Sequence, residues 1–298
     1  MAEKKPKIVV VVGATASGKT GLAIEIAKRF NGEVISADSR QVYRNLDIGT
    51  AKVTKEEMQG IPHHLIDVVE IDQVYTAADF KKDASEVIAS IVSKDGLPII
   101  AGGTFFYIDT LLGRVTTPEV PPNEALRAEL EKLDTKTLVK KLESLAPNRY
   151  LTIDTNNRRR LIRAIEIAST LGFVPESGQT DCPYQVLTIG IETAKENLRE
   201  KFAARAKAWL KNGFLAEIES VLATGISRER LEEIGFEYRV GLQLLDDELS
   251  EEEFIQKFIE KNWQYAKRQL TWLKRDQTIH WFKKDDPEIL NTIEKFLT

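Results

Sequence analysis

The sequence predicts an α/β fold: a P-loop NTPase-like parallel sheet flanked by helices, with an all-helical insertion domain. Three observations lead to this prediction. A β-branched run at residues 8–12 (IVVVV) leads directly into GATASGKT at residues 13–20, which fits the phosphate-binding pattern G-x-x-x-x-G-K-[ST]. Strand-like and helix-like segments then alternate as far as residue 114. After a proline-rich break at residues 116–124, apolar residues recur at helical spacing alone.

The first part of the core is predicted over residues 1–114. Three short apolar runs have the length and composition of buried parallel strands: residues 7–12, 33–37 and 97–101. Two segments carry their apolar residues mostly on one helical face: residues 19–30 and 77–93. Ligands of parallel sheets bind at the carboxyl ends of the strands. The P-loop, Asp38 and the Gly102-Gly103-Thr104 turn each follow a strand, so we expect them at one edge of the sheet.

The predicted insertion covers residues 115–183, where three segments have helical periodicity: ALRAELEKL, TLVKKLESL and RLIRAIEIAS. Residues 184–298 are predicted to return to the core. They begin with a strand at residues 185–191 and continue with three amphipathic helices, at residues 195–212, 215–224 and 251–275.

Composition excludes several classes of protein. The chain has 298 residues, of which 42% are hydrophobic and 30% charged, as in ordinary soluble globular proteins. No apolar run approaches the ~20 residues that span a membrane, so we expect no membrane association and a cytoplasmic location. The single cysteine, Cys182, excludes an intramolecular disulfide and a cysteine-based zinc site. A monomer is the default expectation.

The P-loop makes phosphate binding the first functional prediction. A strand, a glycine-rich turn and a helix N-terminus together direct backbone N–H groups at an anion. In this arrangement Lys19 would reach the terminal phosphates of a di- or triphosphate, and the hydroxyl of Thr20 would hold Mg²⁺.

A polar segment, residues 35–52, follows the second predicted strand. Asp38 stands at the strand end, where a carboxylate beside a phosphate ester acts as a Mg²⁺ partner or as a general base. A helix N-cap is the structural alternative for this aspartate. Ser39, Arg40 and Gln41 add hydrogen-bonding groups next to it.

Two segments concentrate basic residues in a chain whose net charge is −4. Residues 148–163 contain five arginines against one aspartate, and arginine suits bidentate phosphate contact. Residues 265–275 mix Lys267 and Arg268 with aromatic residues, a combination that can clamp phosphates and stack bases. The alternatives are a solvated charged face for the first segment and an amphipathic packing helix for the second.

From these residues alone, three functions remain open. The P-loop fits a small-molecule kinase or another ATP-using enzyme, and also a switch-type NTPase, although no N-K-x-D motif for guanine is present. A third possibility keeps the P-loop but replaces the nucleotide with another diphosphate.

The whole chain resembles the bacterial tRNA dimethylallyltransferases, the IPP transferase family. The resemblance runs in order from residue 7 to residue 282 and rests on seven blocks: GATASGKT (13–20), ISADSRQVYRNLDIGTAK (35–52), PHHLID (62–67), YTAADF (75–80), GGTFFYI (102–108), RRLIRAIEI (159–167) and KRQLTWLKR (267–275). Several of these blocks are individually rare. The resemblance implies transfer of a dimethylallyl group from dimethylallyl diphosphate to the exocyclic amine of the adenosine 3′ to the anticodon, position 37 of tRNA.

The resemblance also implies roles for residues at matching positions. The P-loop would hold the diphosphate, with Mg²⁺ on Thr20, through Gly13, Ala14, Thr15, Ala16, Ser17, Gly18, Lys19 and Thr20. Asp38 would be the general base, and Lys19, Thr104 and Arg205 would complete the catalytic set. The tRNA anticodon stem-loop would contact Asp38, Ser39, Arg40, Gln41, Thr104, Arg159, Arg160, Leu161, Ile162, Arg163, Lys267 and Arg268.

The sequence departs from the family pattern at several positions. Lys201 replaces the first arginine of an L-x-x-R-I-x-x-R pattern, so only its second arginine, Arg205, is carried over. Val53 stands where the family often has proline, and Phe106 replaces a common aliphatic residue. A GY-[KR] motif appears here as Gly235-Phe236-Glu237, and this charge reversal puts any RNA contact at Glu237 in doubt. The alternatives to a tRNA enzyme are an adenylate isopentenyltransferase, which would not need the insertion and its arginines, and a P-loop small-molecule kinase.

Overall fold

The computed structural model describes residues 5–176, 178–193 and 195–298, without the side chains of residues 195–197. Its centre is one parallel sheet with the order β3-β2-β4-β1-β5-β6. The strands are β1 (Lys7–Gly13), β2 (Gly32–Ala37), β3 (His63–His64), β4 (Leu97–Gly102), β5 (Gln185–Ile191) and β6 (Ile279–Phe282). The predicted parallel α/β class is confirmed. The four predicted strands are the four inner ones, whereas the short edge strands β3 and β6 were not predicted.

Strand β1 shows why its sequence is a continuous β-branched run. Val10 pairs with Ile100 of β4 on one side and with Thr188 of β5 on the other. Ile8, Val10 and Val12 pack into the apolar cluster on one face of the sheet. Val9 and Val11 pack into the cluster on the opposite face. Because both faces are covered, the five residues 8–12 inside β1 are all apolar.

The helices before the insertion are α1 (Lys19–Arg29), α2 (Lys55–Met58), α3 (Ala77–Val92) and α4 (Phe105–Leu111). The two predicted helices are present, each one residue shorter at its end than predicted. Side chains of α3 and α4 cover one face of the sheet. Side chains of α1 cover the other, and α1 begins directly after the P-loop.

The chain divides into two compact units. The core unit comprises Met1–Gly113 and Asp181–Thr298, and the insertion unit comprises Arg114–Thr180. The helices of the insertion unit are α5 (Glu124–Glu131), α6 (Thr135–Leu145), α7 (Pro147–Tyr150) and α8 (Arg158–Leu171). Its own apolar core includes Leu130, Leu138, Leu142, Leu161 and Ile165. Because every long helix of this unit is amphipathic, the four-helix group can bury its apolar faces internally.

The remaining helices belong to the core unit: α9 (Lys195–Lys211), α10 (Phe214–Ala223), α11 (Arg228–Ile234), α12 (Phe236–Leu245), α13 (Glu251–Leu273) and α14 (Glu288–Leu297). Another apolar core, rich in aromatic rings, joins α9, α10, α12 and α13 to residues 42–46. This packing holds α9 and α13 beside the polar segment that follows β2. Among the described residues, no helix is both long enough and apolar enough to cross a membrane.

Candidate active site

The P-loop forms the floor of the site. Strand β1 ends at Gly13, and α1 begins at Lys19 after Gly18, whose φ of 97° lies in the left-handed region that favours glycine. The Lys19 ammonium donates hydrogen bonds to the carbonyl oxygens of Gly13 (3.1 Å) and Ala14 (2.8 Å), which closes the loop on itself. No side chain caps the N-terminus of α1. Its first N–H groups therefore remain available to an anion.

A cavity of about 130 Å³ lies against this loop. Its walls come from the P-loop, the ends of β2 and β4, and the helices α9 and α13. The lining includes Lys19, Thr20, Asp38, Gly103, Arg205 and Tyr265. The structure thus brings Lys19, Asp38 and Arg205 from the predicted catalytic set to one cavity.

Asp38 begins a tight turn at the end of β2. Its Oδ1 atom accepts hydrogen bonds from the backbone N–H groups of Arg40 (2.9 Å) and Gln41 (3.4 Å). The next helix in the chain begins only at Lys55, so the alternative of a helix N-cap is wrong. The turn instead fixes the carboxylate at the cavity wall through its own backbone.

Thr104 lies beside this turn, at the end of β4. Its Oγ1 atom accepts a hydrogen bond from the backbone N–H of Ser39 (3.0 Å) and donates to the Ser39 hydroxyl (3.3 Å). The approach of the two strand ends depends on glycine, because a Cβ at Gly102 would lie 2.1 Å from the carbonyl oxygen of Ala37. Thr104 is therefore connected to the Asp38 turn by its hydrogen bonds to Ser39.

Helix α9 supplies cationic side chains. Arg205 donates a long hydrogen bond to the Thr15 hydroxyl (3.4 Å), and Lys201 donates to the carbonyl oxygen of Ala16 (3.3 Å). Desolvation lowers the pKa of Lys19 to about 8, with Asp38 opposing this shift and Arg205 adding to it. Desolvation also lowers the pKa of Arg205, against the effect of Glu237. The sequence prediction included Arg205 but did not carry over Lys201.

Helix α13 contributes Gln269, to which the sequence analysis assigned no role, and Tyr265, which it had noted only as an aromatic residue of the basic segment. Gln269 accepts a hydrogen bond from the backbone N–H of Thr15 (2.8 Å) and donates one to the carbonyl oxygen of Gly103 (3.1 Å). It therefore joins the P-loop to the turn after β4. Burial, followed by the charge of Asp38, raises the pKa of Tyr265 to about 12, so its hydroxyl stays protonated. The two residues are one helical turn apart on α13, which brings both side chains to the same side of the helix.

The other predicted RNA-contacting residues differ in exposure. In the core unit, Lys267 and Arg268 are exposed and lie over the rings of Trp263 (5.4 Å) and Tyr265 (5.8 Å). Gln41 is half-buried, and both ends of its amide are hydrogen-bonded within the protein. Its oxygen accepts from the Ser36 hydroxyl, and its NH₂ group donates to the carbonyl oxygen of Ala51.

In the insertion unit, the predicted RNA-contacting block separates into two groups. Arg159 and Arg160 are exposed on α8. Arg163 is bound to Glu166 and to the carbonyl oxygen of Val120. Leu161 and Ile162 are buried in the core of the unit, so the expectation that their side chains contact RNA is corrected to a packing role. They lie on the face of α8 that helical periodicity turns inward.

The fold and the cavity define a class of protein. This is a P-loop α/β protein, with a site that sets a carboxylate and several cations around an anion-binding loop.

Comparisons with known proteins identify the family. The family model for IPP transferase matches residues 41–276. A tRNA dimethylallyltransferase from Thermoanaerobacter sp. (strain X514) is 38% identical over 306 residues, covering 98% of this chain and 97% of the relative. This chain belongs to the IPP transferase family, which confirms the resemblance found in the sequence.

Solved structures agree with this assignment. A tRNA delta(2)-isopentenylpyrophosphate transferase from Staphylococcus epidermidis matches with a TM-score of 0.69 at 36% identity, covering 98% of this chain and 99% of that chain. A eukaryotic dimethylallyltransferase acting on tRNA matches with a TM-score of 0.77 at 26% identity, covering 93% of this chain and 74% of that chain.

Proposed function

We propose that this enzyme is a tRNA dimethylallyltransferase. It transfers the dimethylallyl group of dimethylallyl diphosphate to the exocyclic amine of the adenosine 3′ to the anticodon, giving N6-isopentenyladenosine and diphosphate. The observation that carries the proposal is the cavity in which Asp38 and the P-loop face a common space. The curated and structural relatives named above support it, because their names state the same kind of reaction on tRNA.

Asp38 is the proposed general base. The exocyclic amine of adenine is a poor nucleophile because its lone pair is delocalised into the ring. It must lose a proton as it attacks the first carbon of the dimethylallyl group. A positioned carboxylate that accepts this proton accelerates such a step by about 10²–10⁴-fold. The two backbone hydrogen bonds to Oδ1 restrain the Asp38 carboxylate at the cavity wall, which supports this role.

The P-loop and its cations are proposed to bind the diphosphate and to stabilise it as it leaves. The N–H groups of residues 13–20 would contact the phosphate oxygens, with Lys19 and Arg205 as the nearest cations. At pH 7 Lys19 is mostly charged, since its pKa is about 8. Thr104 is proposed to act at the reaction centre through the Ser39 turn that it supports.

The residues also fit a magnesium ion that arrives with the substrate. The Thr20 hydroxyl lines the cavity, and Mg²⁺ is commonly held by one or two protein oxygens together with substrate phosphates. Among the described residues there is no group of three or more His, Cys, Asp and Glu side chains that would hold an ion by itself. Bound on Thr20, the ion would neutralise charge on the departing diphosphate.

The adenosine cannot be reached while it is stacked in the anticodon loop, so we propose that it is flipped out into the cavity. This costs a few kcal/mol, which stacking and backbone contacts would recover. The proposed contacts are Asp38, Ser39, Gln41, Thr104, Lys267 and Arg268 in the core unit and Arg159 and Arg160 in the insertion unit. Arg163 is left out because its guanidinium is already paired with Glu166. Arg40 differs from the proposed contacts because its guanidinium already pairs with Glu237.

A tRNA substrate implies that the enzyme works in the cytoplasm, and we propose that it does so as a monomer.

A labelled-transfer assay tests the proposal. The wild-type enzyme is incubated with radiolabelled dimethylallyl diphosphate, Mg²⁺ and unmodified total tRNA, with AMP and ATP in parallel tubes. We expect label in tRNA alone, and a loss of about 10²–10⁴-fold in kcat for Asp38→Ala and for Asp38→Asn. Asp247→Asn is the matched control, because Asp247 is exposed and does not line the cavity.

The other results of this assay are equally informative. Label in AMP would identify an adenylate isopentenyltransferase. Consumption of ATP without prenyl transfer would support a kinase. If both Asp38 variants still transfer label to tRNA, tRNA remains the proposed substrate but Asp38 is not the general base.

A further inference from the structure

An ion pair between a half-buried arginine and a buried glutamate lies behind the Asp38 turn and has no role in the mechanism above. Arg40 Nη1 is 2.5 Å from Glu237 Oε2, and the two residues are 197 positions apart in the sequence. The Glu237 side chain is 6% exposed and stands in the first turn of α12. This is the position at which the sequence departs from GY-[KR] by a reversal of charge. The structure gives Glu237 a partner of opposite charge, so the acidic residue fits its surroundings.

Aromatic rings enclose the pair. The guanidinium of Arg40 lies 5.5 Å from the ring centre of Phe236 and 5.7 Å from that of Tyr265. A Cβ at Gly235 would lie 2.7 Å from Glu237 Oε2 and 3.1 Å from Arg40 Cζ, so a larger residue there would displace the pair from its present position. The ion pair and the two rings together restrict the positions open to the Arg40 guanidinium.

The same residue also holds the carboxylate of Asp38. The backbone N–H of Arg40 donates the shorter of the two hydrogen bonds to Asp38 Oδ1, at 2.9 Å. Immobilising the Arg40 side chain therefore limits the movement of the backbone on which Asp38 depends. Burial raises the pKa of Glu237, and the charge of Arg40 opposes that rise. The two groups thus depend on each other for charge compensation.

We propose that Glu237 is a positioning residue that acts through Arg40 to hold the Asp38 carboxylate in its catalytic geometry. This inference rests on the proposed role of Asp38 as the base. It competes with the expectation, drawn from resemblance, that Arg40 contacts tRNA. The two roles differ in what they change: a positioning residue affects kcat, whereas an RNA contact affects the KM for tRNA.

The test compares four variants with wild type: Glu237→Gln, Glu237→Asp, the double variant Arg40→Gln with Glu237→Gln, and Asp38→Asn. The double variant removes both charges and leaves no unpaired buried ion, so it covers the case in which Glu237→Gln alone fails to fold. Glu232→Gln is the matched control. It breaks an exposed ion pair between α11 and α12, that of Glu232 with Arg239, whose side chains are 45% and 54% exposed.

We expect kcat to fall about 10- to 100-fold in Glu237→Gln and in the double variant, the size of effect that a small misplacement of a catalytic group produces. The KM values for tRNA and dimethylallyl diphosphate should stay at their wild-type values. Glu237→Asp should recover part of the loss, because it retains the charge. In ligand-free protein, amide hydrogen exchange at residues 38–41 should accelerate in Glu237→Gln and in the double variant, but not in Glu232→Gln.

Two outcomes overturn the inference. One is a wild-type kcat with unchanged exchange at residues 38–41 in Glu237→Gln and in the double variant. The other is a raised KM for tRNA with unchanged kcat, which would make Arg40 an RNA contact. Asp38→Asn separates this failure from that of the proposed function: if it retains activity, the base assignment itself is wrong.

Discussion

The core unit and the insertion unit use buried charge in opposite ways. In the core unit, Lys19 and Arg205 stand together at the cavity, where desolvation lowers the pKa of each. In the insertion unit, Arg127 and Arg163 both bind the fully buried carboxylate of Glu166. At the cavity the core thus keeps a local excess of positive charge, although Arg40 behind the Asp38 turn is paired with Glu237. The insertion neutralises both arginines that reach its interior carboxylate.

This difference indicates what each unit contributes. Clustered, partly desolvated cations are unfavourable without an anion, so the core is suited to bind a diphosphate. The Glu166 group joins α5 and α8, and the backbone N–H of Asn123 also donates to it, at 2.6 Å. Its role is structural. Among the described arginines of α8, Arg159 and Arg160 are exposed and face outward, so these two are suited to act on a partner by charge.

The largest predicted effect is on the stability of the insertion unit. Glu166→Gln leaves two arginines around a neutral group, and we expect the unit to lose about 2–3 kcal/mol of unfolding free energy. This is below the ~3–5 kcal/mol for a fully buried pair, because the arginine side chains are 33% and 34% exposed. Hydrogen exchange should accelerate over residues 114–180 and stay unchanged over the strands of the core unit.

The matched control for this prediction is Glu131→Gln, which breaks an exposed pair with Arg158 and should cost less than about 1 kcal/mol. A pH titration adds a second check. Burial acts to raise the pKa of Glu166, but the hydrogen bonds from Arg127, Asn123 and Arg163 outweigh it and hold the pKa below its ordinary value. The contribution of this carboxylate is therefore lost as pH falls below that ordinary value, and Glu166→Gln should remove this dependence. Equal effects of both substitutions would contradict the contrast between the units.

A smaller effect is predicted at alkaline pH in the core unit. With a pKa of about 8, Lys19 is charged below that pH and loses its charge above it. Affinity for inorganic diphosphate should therefore fall about tenfold per pH unit above pH 8. Titration calorimetry in buffers of different ionisation enthalpy would measure both the affinity and the accompanying proton uptake. The Lys19→Arg variant keeps its charge, so its affinity for diphosphate should not fall in this way above pH 8. If affinity falls with the same slope in both proteins, Lys19 is not the group that causes the fall.

The smallest effect is expected at the surface of the insertion unit. Arg159→Gln and Arg160→Gln should each weaken tRNA binding a few-fold and reduce the slope of log affinity against log salt by about 1. The kcat at saturating tRNA should not change. Arg239→Gln, at an exposed arginine of the core unit that is already paired with Glu232, is the control. If the slope of log affinity against log salt is unchanged in both α8 variants, Arg159 and Arg160 do not contact tRNA.

Local patterns were sufficient to predict the four inner strands and the position of the P-loop. These strands are covered on both faces, so their sequences are predominantly apolar. The edge strands β3 and β6 were missed because they have two and four residues and lack that apolar signature. Asp38 was predictable from its place at a strand end. Gln269 was not assigned a role, because its two partners, Thr15 and Gly103, lie far away in the sequence.

The sequence by itself determined the fold class, the phosphate-binding loop and the strand end that carries Asp38, since each depends on residues that are neighbours in the chain. Tertiary structure alone decided which arginines are free and which are paired. A charged side chain shows its type in the sequence, but its partner is set by packing between distant segments. Arg40 and Glu237 are the clearest case. Their contact is formed only when α12 packs against the turn after β2, and it converts an unexplained charge reversal into a specific ion pair.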